Sequence, residues 1–241
     1  MADDQRLFVC CGMIRSGSTV QYQVVAELVE RRRLGRRVGF IEQENAADLL
    51  STALTTPGIA VFKTHRLIPQ LIAALESGTA TLFYTFRDLR AVAVSAMRKW
   101  QLPYPLMISR DGWLETAVRA SEEILAFPNI CTSRYEDIMS ALPTEVDRWA
   151  GAVGVAISPD ETTALAQEFS FDAQKERIKL IKVQMPDGKG EYYDSGSLLH
   201  HDHIFDGSID GWKTQLEEWQ IRQIERRFGA WLRAHNYPLI T

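Results

Sequence analysis

The feature that most restricts what this 241-residue chain can become is the segment Gly12-Met13-Ile14-Arg15-Ser16-Gly17-Ser18-Thr19, which follows the apolar run Leu7-Phe8-Val9-Cys10-Cys11 without a break. A short apolar run ended by glycine reads as a buried strand, and the chain must then turn sharply to enter the helical pattern that starts at Ser18. A strand, a glycine-bounded turn and a helix, in that order, aim backbone N–H groups and the positive end of a helix dipole at one point. Such a point attracts anions.

The spacing of Gly12 and Gly17 before Ser18-Thr19 fits the triphosphate-binding pattern G-x-x-x-x-G-K-[ST] at every position but one, because Ser18 stands where the pattern has lysine. That lysine reaches the β- and γ-phosphates, so its absence argues against a triphosphate ligand. A positive charge stands three residues earlier, at Arg15.

Further along, short apolar runs at 7–11, 38–41, 59–62, 80–86 and 130–132 alternate with helical patterns at 18–33, 45–54, 67–77 and 89–100. This alternation predicts an α/β fold, with a central parallel β-sheet flanked by helices and ligands at the carboxyl ends of the strands. The second half reads as mainly helical, over 110–127, 143–154, 160–182 and 215–235, and the whole of 1–241 as a single domain. The stretch 184–213 breaks the pattern with Pro186, Gly188, Gly190, Gly196, Gly207 and Gly211 and three histidines, and reads as a lid, a binding loop or disorder.

Three strand ends carry chemistry. Extended backbone after 59–62 puts Lys63 and His65 on one side, a cation beside a titratable base. Arg87 follows the run 80–86 and suits an anion, since a guanidinium presents several donors to phosphate. Glu42 and Glu44 offer carboxylates after the second run.

Net charge and cysteine content exclude several classes. A net charge of −4 and a pI near 5.8 speak against a general nucleic-acid binder, which needs clustered cations. The cluster Arg31, Arg32, Arg33, Arg36 and Arg37 falls where a helix should end, and reads as a solvated, dipole-matched terminus. Cys10 and Cys11 are adjacent in a strand and point to opposite faces, so they cannot easily bridge. With no signal-peptide pattern at the acidic start and no membrane-length apolar run, the expectation is a cytoplasmic protein that does not engage a membrane. His200, His201 and His203 with Asp202 lack the spacing of a structural zinc site, so no metal is expected.

Taken in order, Arg15-Ser16-Gly17-Ser18-Thr19, Lys63-Thr64-His65, Arg87-Asp88-Leu89-Arg90-Ala91-Val92-Ala93-Val94-Ser95, Tyr135-Glu136-Asp137 and Gly207 to Lys213 resemble the ordered motifs of sulfotransferases that use 3′-phosphoadenosine 5′-phosphosulfate (PAPS). The resemblance spans nearly the whole chain and implies a P-loop-like sulfotransferase fold. It assigns Arg15, Ser16, Gly17, Ser18 and Thr19 to the 5′-phosphosulfate, with Arg15 in place of the usual lysine. Arg87 and Ser95 fall at the 3′-phosphate, and Tyr135, Ser170 and Phe171 around the adenine. Gly207 and Ser208 fall in the last nucleotide-binding loop, where the usual Arg-Lys-Gly reads Phe205-Asp206-Gly207. The aromatic expected after the first loop is Val20.

The mechanism implied is in-line sulfonyl transfer to a hydroxyl of a small-molecule acceptor, with His65 as base and Lys63 and Arg15 stabilising charge; it requires no metal. Glu42 is the rival base, by similarity to carbohydrate-directed members. The acceptor loops are expected at 101–112 and 184–206, with Trp100, Tyr104, Trp113, Tyr192 and Tyr193 as walls. Two other readings of the same architecture are a kinase-like phosphotransferase, which would want a loop lysine and magnesium carboxylates, and a nucleotide-binding protein without catalysis.

Overall fold

The protein is described here by a computed structural model covering residues 6–183, 194–200 and 204–241, with the side chains of 181–183 outside that description. Tyr192, Tyr193, His201, Asp202 and His203 fall outside the described residues. The strands are β1 (Leu7–Gly12), β2 (Gly35–Phe40), β3 (Ile59–Thr64), β4 (Ala80–Phe86) and β5 (Cys131–Arg134). They form one sheet in the order β2-β3-β1-β4-β5, and every pairing is parallel.

Strand alternation divides the core into two layers. Leu7, Val9, Cys11, Phe62, Leu82, Tyr84 and Phe86 pack on one face, and Phe8, Cys10, Val61 and Phe83 on the other. A sheet covered on both sides needs apolar residues at consecutive positions, and this is why β1 and β4 read as unbroken apolar runs. Cys10 and Cys11 sit in opposite layers as free thiols, and burial pushes the Cys11 thiol up to about 12.

Helix α1 (Ser18–Arg31) carries the chain from β1 towards β2, whereas α4 (Leu89–Trp100) leaves β4 on the way to β5. The connections diverge, and between β1 and β4 they open the crevice that α/β sheets use for ligands. The backbone stitches its floor: the Met13 N–H donates to the Thr85 carbonyl at 2.8 Å.

Helices α2 (Ala46–Thr55) and α3 (Pro69–Glu76) follow the expected positions. In the second half one long expected helix divides. The stretch 160–182 is α9 (Pro159–Glu168) and α10 (Phe171–Val183), because Phe169 turns into the core and the Ser170 hydroxyl accepts from the Ala173 N–H to start a new helix. The stretch 215–235 forms one helix, α12 (Glu218–Ala234), which begins at a reciprocal cap between Glu217 and Gln220, with the short α11 (Trp212–Gln215) just ahead of it. The pattern at 110–127 narrows to α6 (Trp113–Leu125), and α5 (Tyr104–Ile108) fills the loop before it. Ahead of α8 (Leu142–Val153), α7 (Tyr135–Ser140) opens directly from β5. Tyr104, expected in an acceptor wall, is instead a core residue whose hydroxyl donates to the Gln220 carbonyl at 3.0 Å.

Three arginines of the cluster are ion-paired. Arg31 meets Glu27 and Glu168, Arg32 meets Glu161, and Arg37 meets Glu27 and Glu30. Exposed pairs of this kind contribute little individually.

Behind the crevice lies a buried network on Arg90, whose side chain is 1% exposed. Its guanidinium pairs with Asp88 at 2.6 Å and with Glu225, donates to the Pro238 carbonyl and lies 3.9 Å over the Trp212 ring. Glu225 in turn accepts from the N–H groups of Ile240 and Thr241. Removing one partner from a buried, hydrogen-bonded ion cluster leaves charge without compensation, so Arg90→Met is expected to cost about 3–5 kcal/mol of stability. Chemical denaturation monitored by circular dichroism measures this; a change under about 1 kcal/mol contradicts it.

Candidate active site

The loop after β1 is built from alternating backbone conformations. Arg15 (φ 73°) and Gly17 (φ 84°) are both left-handed, and such turns form concave nests of N–H groups. Left-handed backbone is strained for arginine, and neighbours hold it there. Arg87 Nη1 donates to the Arg15 carbonyl (3.2 Å), and Arg15 Nε donates to Ser95 Oγ (2.8 Å). Gly17 is favoured by its φ, and an added Cβ would also press on the Tyr135 ring at 3.2 Å. As the N-cap of α1 it has no side chain to satisfy the first-turn N–H groups, which suits an external anion.

Ser16 serves the loop itself. Its hydroxyl is buried against Met13 and Thr85, and its N–H donates to the Met13 carbonyl. Ser18 is buried at the head of α1. Neither side chain lines the cleft, whereas Arg15, Gly17 and Thr19 do.

The cleft has a volume of about 570 Å³. One wall is the face of α4 that presents Ala91, Val94, Ser95 and Arg98, at helical spacing. Arg87, at the end of β4, stacks 3.7 Å over the Tyr135 ring and donates through Nη2 to the Ser208 carbonyl (2.8 Å). Its Nε is buried and has no partner among the described residues. A buried donor in that condition is costly unless a ligand satisfies it.

Ser170 and Phe171 line the cleft where α9 gives way to α10. Gly207 (φ 68°) passes under the Phe171 ring, where an added Cβ would come within 2.6 Å of ring carbon. Glycine is therefore needed at 207 even though the residues before it are Phe205 and Asp206. Sequence reasoning did not single out two further lining residues, Arg98 and Gln174. Arg98 was within reach, three residues after Ser95 on one helix face. Gln174 carried no signal: its Nε2 donates to Gln23, 151 positions away, and Gln23 donates to the Ser197 carbonyl at 2.6 Å.

Lys63 and His65 adjoin the loop at the end of β3. Lys63 Nζ stands 3.3 Å from His65 Nε2 and 5.1 Å from the centre of the Phe40 ring. His65 Nδ1 is 2.9 Å from the Gly12 carbonyl. A carbonyl only accepts, so Nδ1 carries the proton and Nε2 presents its lone pair. Burial, then the Lys63 charge and that of Arg15, hold the His65 imidazole down to about 3. Burial also lowers the Lys63 ammonium to about 8.

Glu42 follows β2, but its side chain is exposed; its backbone N–H donates to Asn45 Oδ1 at 2.9 Å. Trp100 and Trp113 lean on each other at 4.7 Å, outside the lining of the cleft. Among the described residues no group of three or more His, Cys, Asp or Glu is placed to hold a metal, and no described helix is long and apolar enough to cross a membrane.

Five parallel strands, a left-handed anion loop after the first and a cation-lined cleft at their carboxyl ends define a phosphate-binding α/β protein. A family model described as the sulfotransferase domain matches residues 5–235, and the chain belongs to that family. No curated protein matches it by sequence. Among solved structures it is similar to retinol dehydratase in complex with androsterone and inactive cofactor PAP, at 18% identity and TM-score 0.62, covering 95% of this chain and 80% of that one. A complex of retinol dehydratase with retinol and PAP gives 20% identity and TM-score 0.61, over 95% and 81%. Mouse sulfotransferase SULT7A1 complexed with PAP gives 17% and 0.67, over 95% and 84%. At these identities the likeness speaks for the fold.

Proposed function

We propose that the protein transfers the sulfonyl group of PAPS to a hydroxyl of a small-molecule acceptor and releases adenosine 3′,5′-bisphosphate (PAP). The observation that carries this reading is the pinned His65: Gly12, the last residue of the strand that feeds the anion loop, fixes a neutral imidazole whose Nε2 lone pair meets Lys63. Base and cation thus stand beside the place where an anionic group would be held. Family membership and similarity to PAP complexes support the co-substrate, and complexes with retinol and androsterone support an apolar small-molecule acceptor.

The cleft fits a nucleotide with phosphates at both ends. The loop with Arg15, Gly17, Ser18 and Thr19 faces the 5′ end, and Ser16 braces it from below. Arg87 and Ser95 hold the 3′-phosphate, and the orphaned Arg87 Nε is a donor such an anion would satisfy. Tyr135, Ser170 and Phe171 supply the walls of an adenine slot, closed by Gly207 and Ser208.

His65 Nε2 takes the acceptor's proton as its oxygen forms the new bond to sulfur. The bond from sulfur to the phosphate oxygen breaks, and Lys63 and Arg15 stabilise charge on the sulfonyl group and the departing oxygen. For this Lys63 must leave His65 Nε2 and Arg15 Nε must leave Ser95 Oγ, and the flexible stems of both side chains allow it. His65 is favoured over Glu42 because two contacts orient it, whereas the Glu42 carboxylate stands in solvent.

The test combines PAPS with a panel of phenols and alcohols and follows PAP formation, with calorimetry of PAP alongside. Transfer to a hydroxyl acceptor and PAP binding are expected. Binding of ATP with magnesium, and none of PAP, would overturn the assignment in favour of a phosphotransferase.

A further inference from the structure

The loop that closes the cleft presents a carboxylate, Asp206, close to where the reading above seats the 3′-phosphate. Its Oδ2 lies 3.3 Å from Arg98 Nη1, and its Oδ1 accepts from the Ser208 N–H at 3.0 Å. One carboxylate therefore occupies a guanidinium donor and a backbone donor at once, the two kinds of group that bind phosphate oxygens. From the same loop the Ser208 carbonyl accepts from Arg87 Nη2 at 2.8 Å. Residues 206–208 thus run between the two arginines.

We propose that Arg98 is the second guanidinium of the 3′-phosphate site, and that Asp206 is a built-in stand-in anion which yields Arg98 and the Ser208 N–H when the nucleotide binds. This rests on the PAPS reading above and assigns a role that reading leaves open. Arg98 lies one turn beyond Ser95 on the α4 face that lines the cleft, so its side chain shares a wall with the Ser95 hydroxyl. Its guanidinium also lies 4.3 Å over the Phe205 ring, a contact independent of Asp206 that keeps it facing the loop once the carboxylate moves.

Charge and exposure favour the exchange. Arg98 and Asp206 are about half exposed, at 49% and 53%, so their pair is screened and weak. A phosphate dianion brings twice the charge of a carboxylate, and several oxygens to one cluster of donors. The arrangement also confers selectivity: a nucleotide without the 3′-phosphate offers nothing to displace Asp206, so Arg98 contributes nothing to its binding.

Calorimetry on the full chain tests this with two ligands, adenosine 3′,5′-bisphosphate and adenosine 5′-phosphate, against wild type, Arg98→Ala and Asp206→Asn. Hydrogen bonds to charged groups predict that Arg98→Ala weakens the bisphosphate by about 10- to 100-fold and the monophosphate by less than about 2-fold. Asp206→Asn is expected to tighten the bisphosphate by roughly 2- to 5-fold and leave the monophosphate unchanged, since it removes the competing charge. Unaltered bisphosphate affinity in Arg98→Ala, or equal weakening of both ligands, overturns the proposal while the PAPS reading stands. Asp206→Asn that binds the bisphosphate no more tightly overturns the stand-in role alone. A wild type that does not bind the bisphosphate at all overturns the parent reading, and this inference with it.

Discussion

His65→Ala is expected to lower kcat by about 10²- to 10⁴-fold, the range a positioned general base supplies, while PAP affinity changes by less than about threefold. Among the described residues the imidazole bonds to the loop only through the Gly12 carbonyl, so its loss removes a proton acceptor and leaves the left-handed turn at Arg15 and Gly17 held by Arg87, Ser95 and Ser16. Turnover measured with saturating PAPS, with PAP binding measured separately, separates the two effects. Near-normal turnover in His65→Ala, with a collapse in Glu42→Gln, would move the base to the end of β2.

Lys63 governs the second large effect, which is a matter of pH. Its ammonium is held near 8, chiefly by burial, so it loses its charge as pH rises through that value. Since kcat/KM reports ionisations of the free enzyme, it should fall about tenfold per pH unit above roughly 8. No acid limb is expected near 6.5, because His65 is held near 3 and stays neutral throughout that range. Arginine does not titrate here, so Lys63→Arg should abolish the alkaline limb, and Lys63→Met should cut kcat by about 10²- to 10³-fold, as loss of one fixed charge-stabilising donor does. An alkaline limb that survives in Lys63→Arg would assign it to another group. Loss of rate below pH 7 with a midpoint near 6.5 would show that the imidazole is not desolvated as the geometry requires.

Much of this site could be read along the chain because its parts sit at strand ends. A strand end fixes both where a residue lies and which way the chain turns, so Arg15 to Thr19, Lys63, His65 and Arg87 could be located from apolar runs and glycines alone. The pairing of Lys63 with His65 follows from two-residue alternation, and the structure places their side-chain nitrogens 3.3 Å apart. The second half was less legible. A helical pattern across 160–182 does not show that Phe169 turns inward and Ser170 restarts the helix, since both residues are tolerated inside helices. Ser16 shows the same limit on a smaller scale: a serine in an anion loop reads as a ligand, and only the proximity of Thr85 turns it into a brace.

The sequence by itself determined the parallel sheet, the anion loop and the base beside a cation, because each is a local matter of periodicity, turn chemistry and strand direction. The tertiary structure alone decided that Arg98 faces Asp206 across the cleft, that Arg90 reaches Glu225 and the Pro238 carbonyl, and that Gln174 leans on Gln23. Those contacts join positions up to 151 residues apart, and no local rule carries information over such a separation; only burial and the closing of the sheet's two layers bring the partners together.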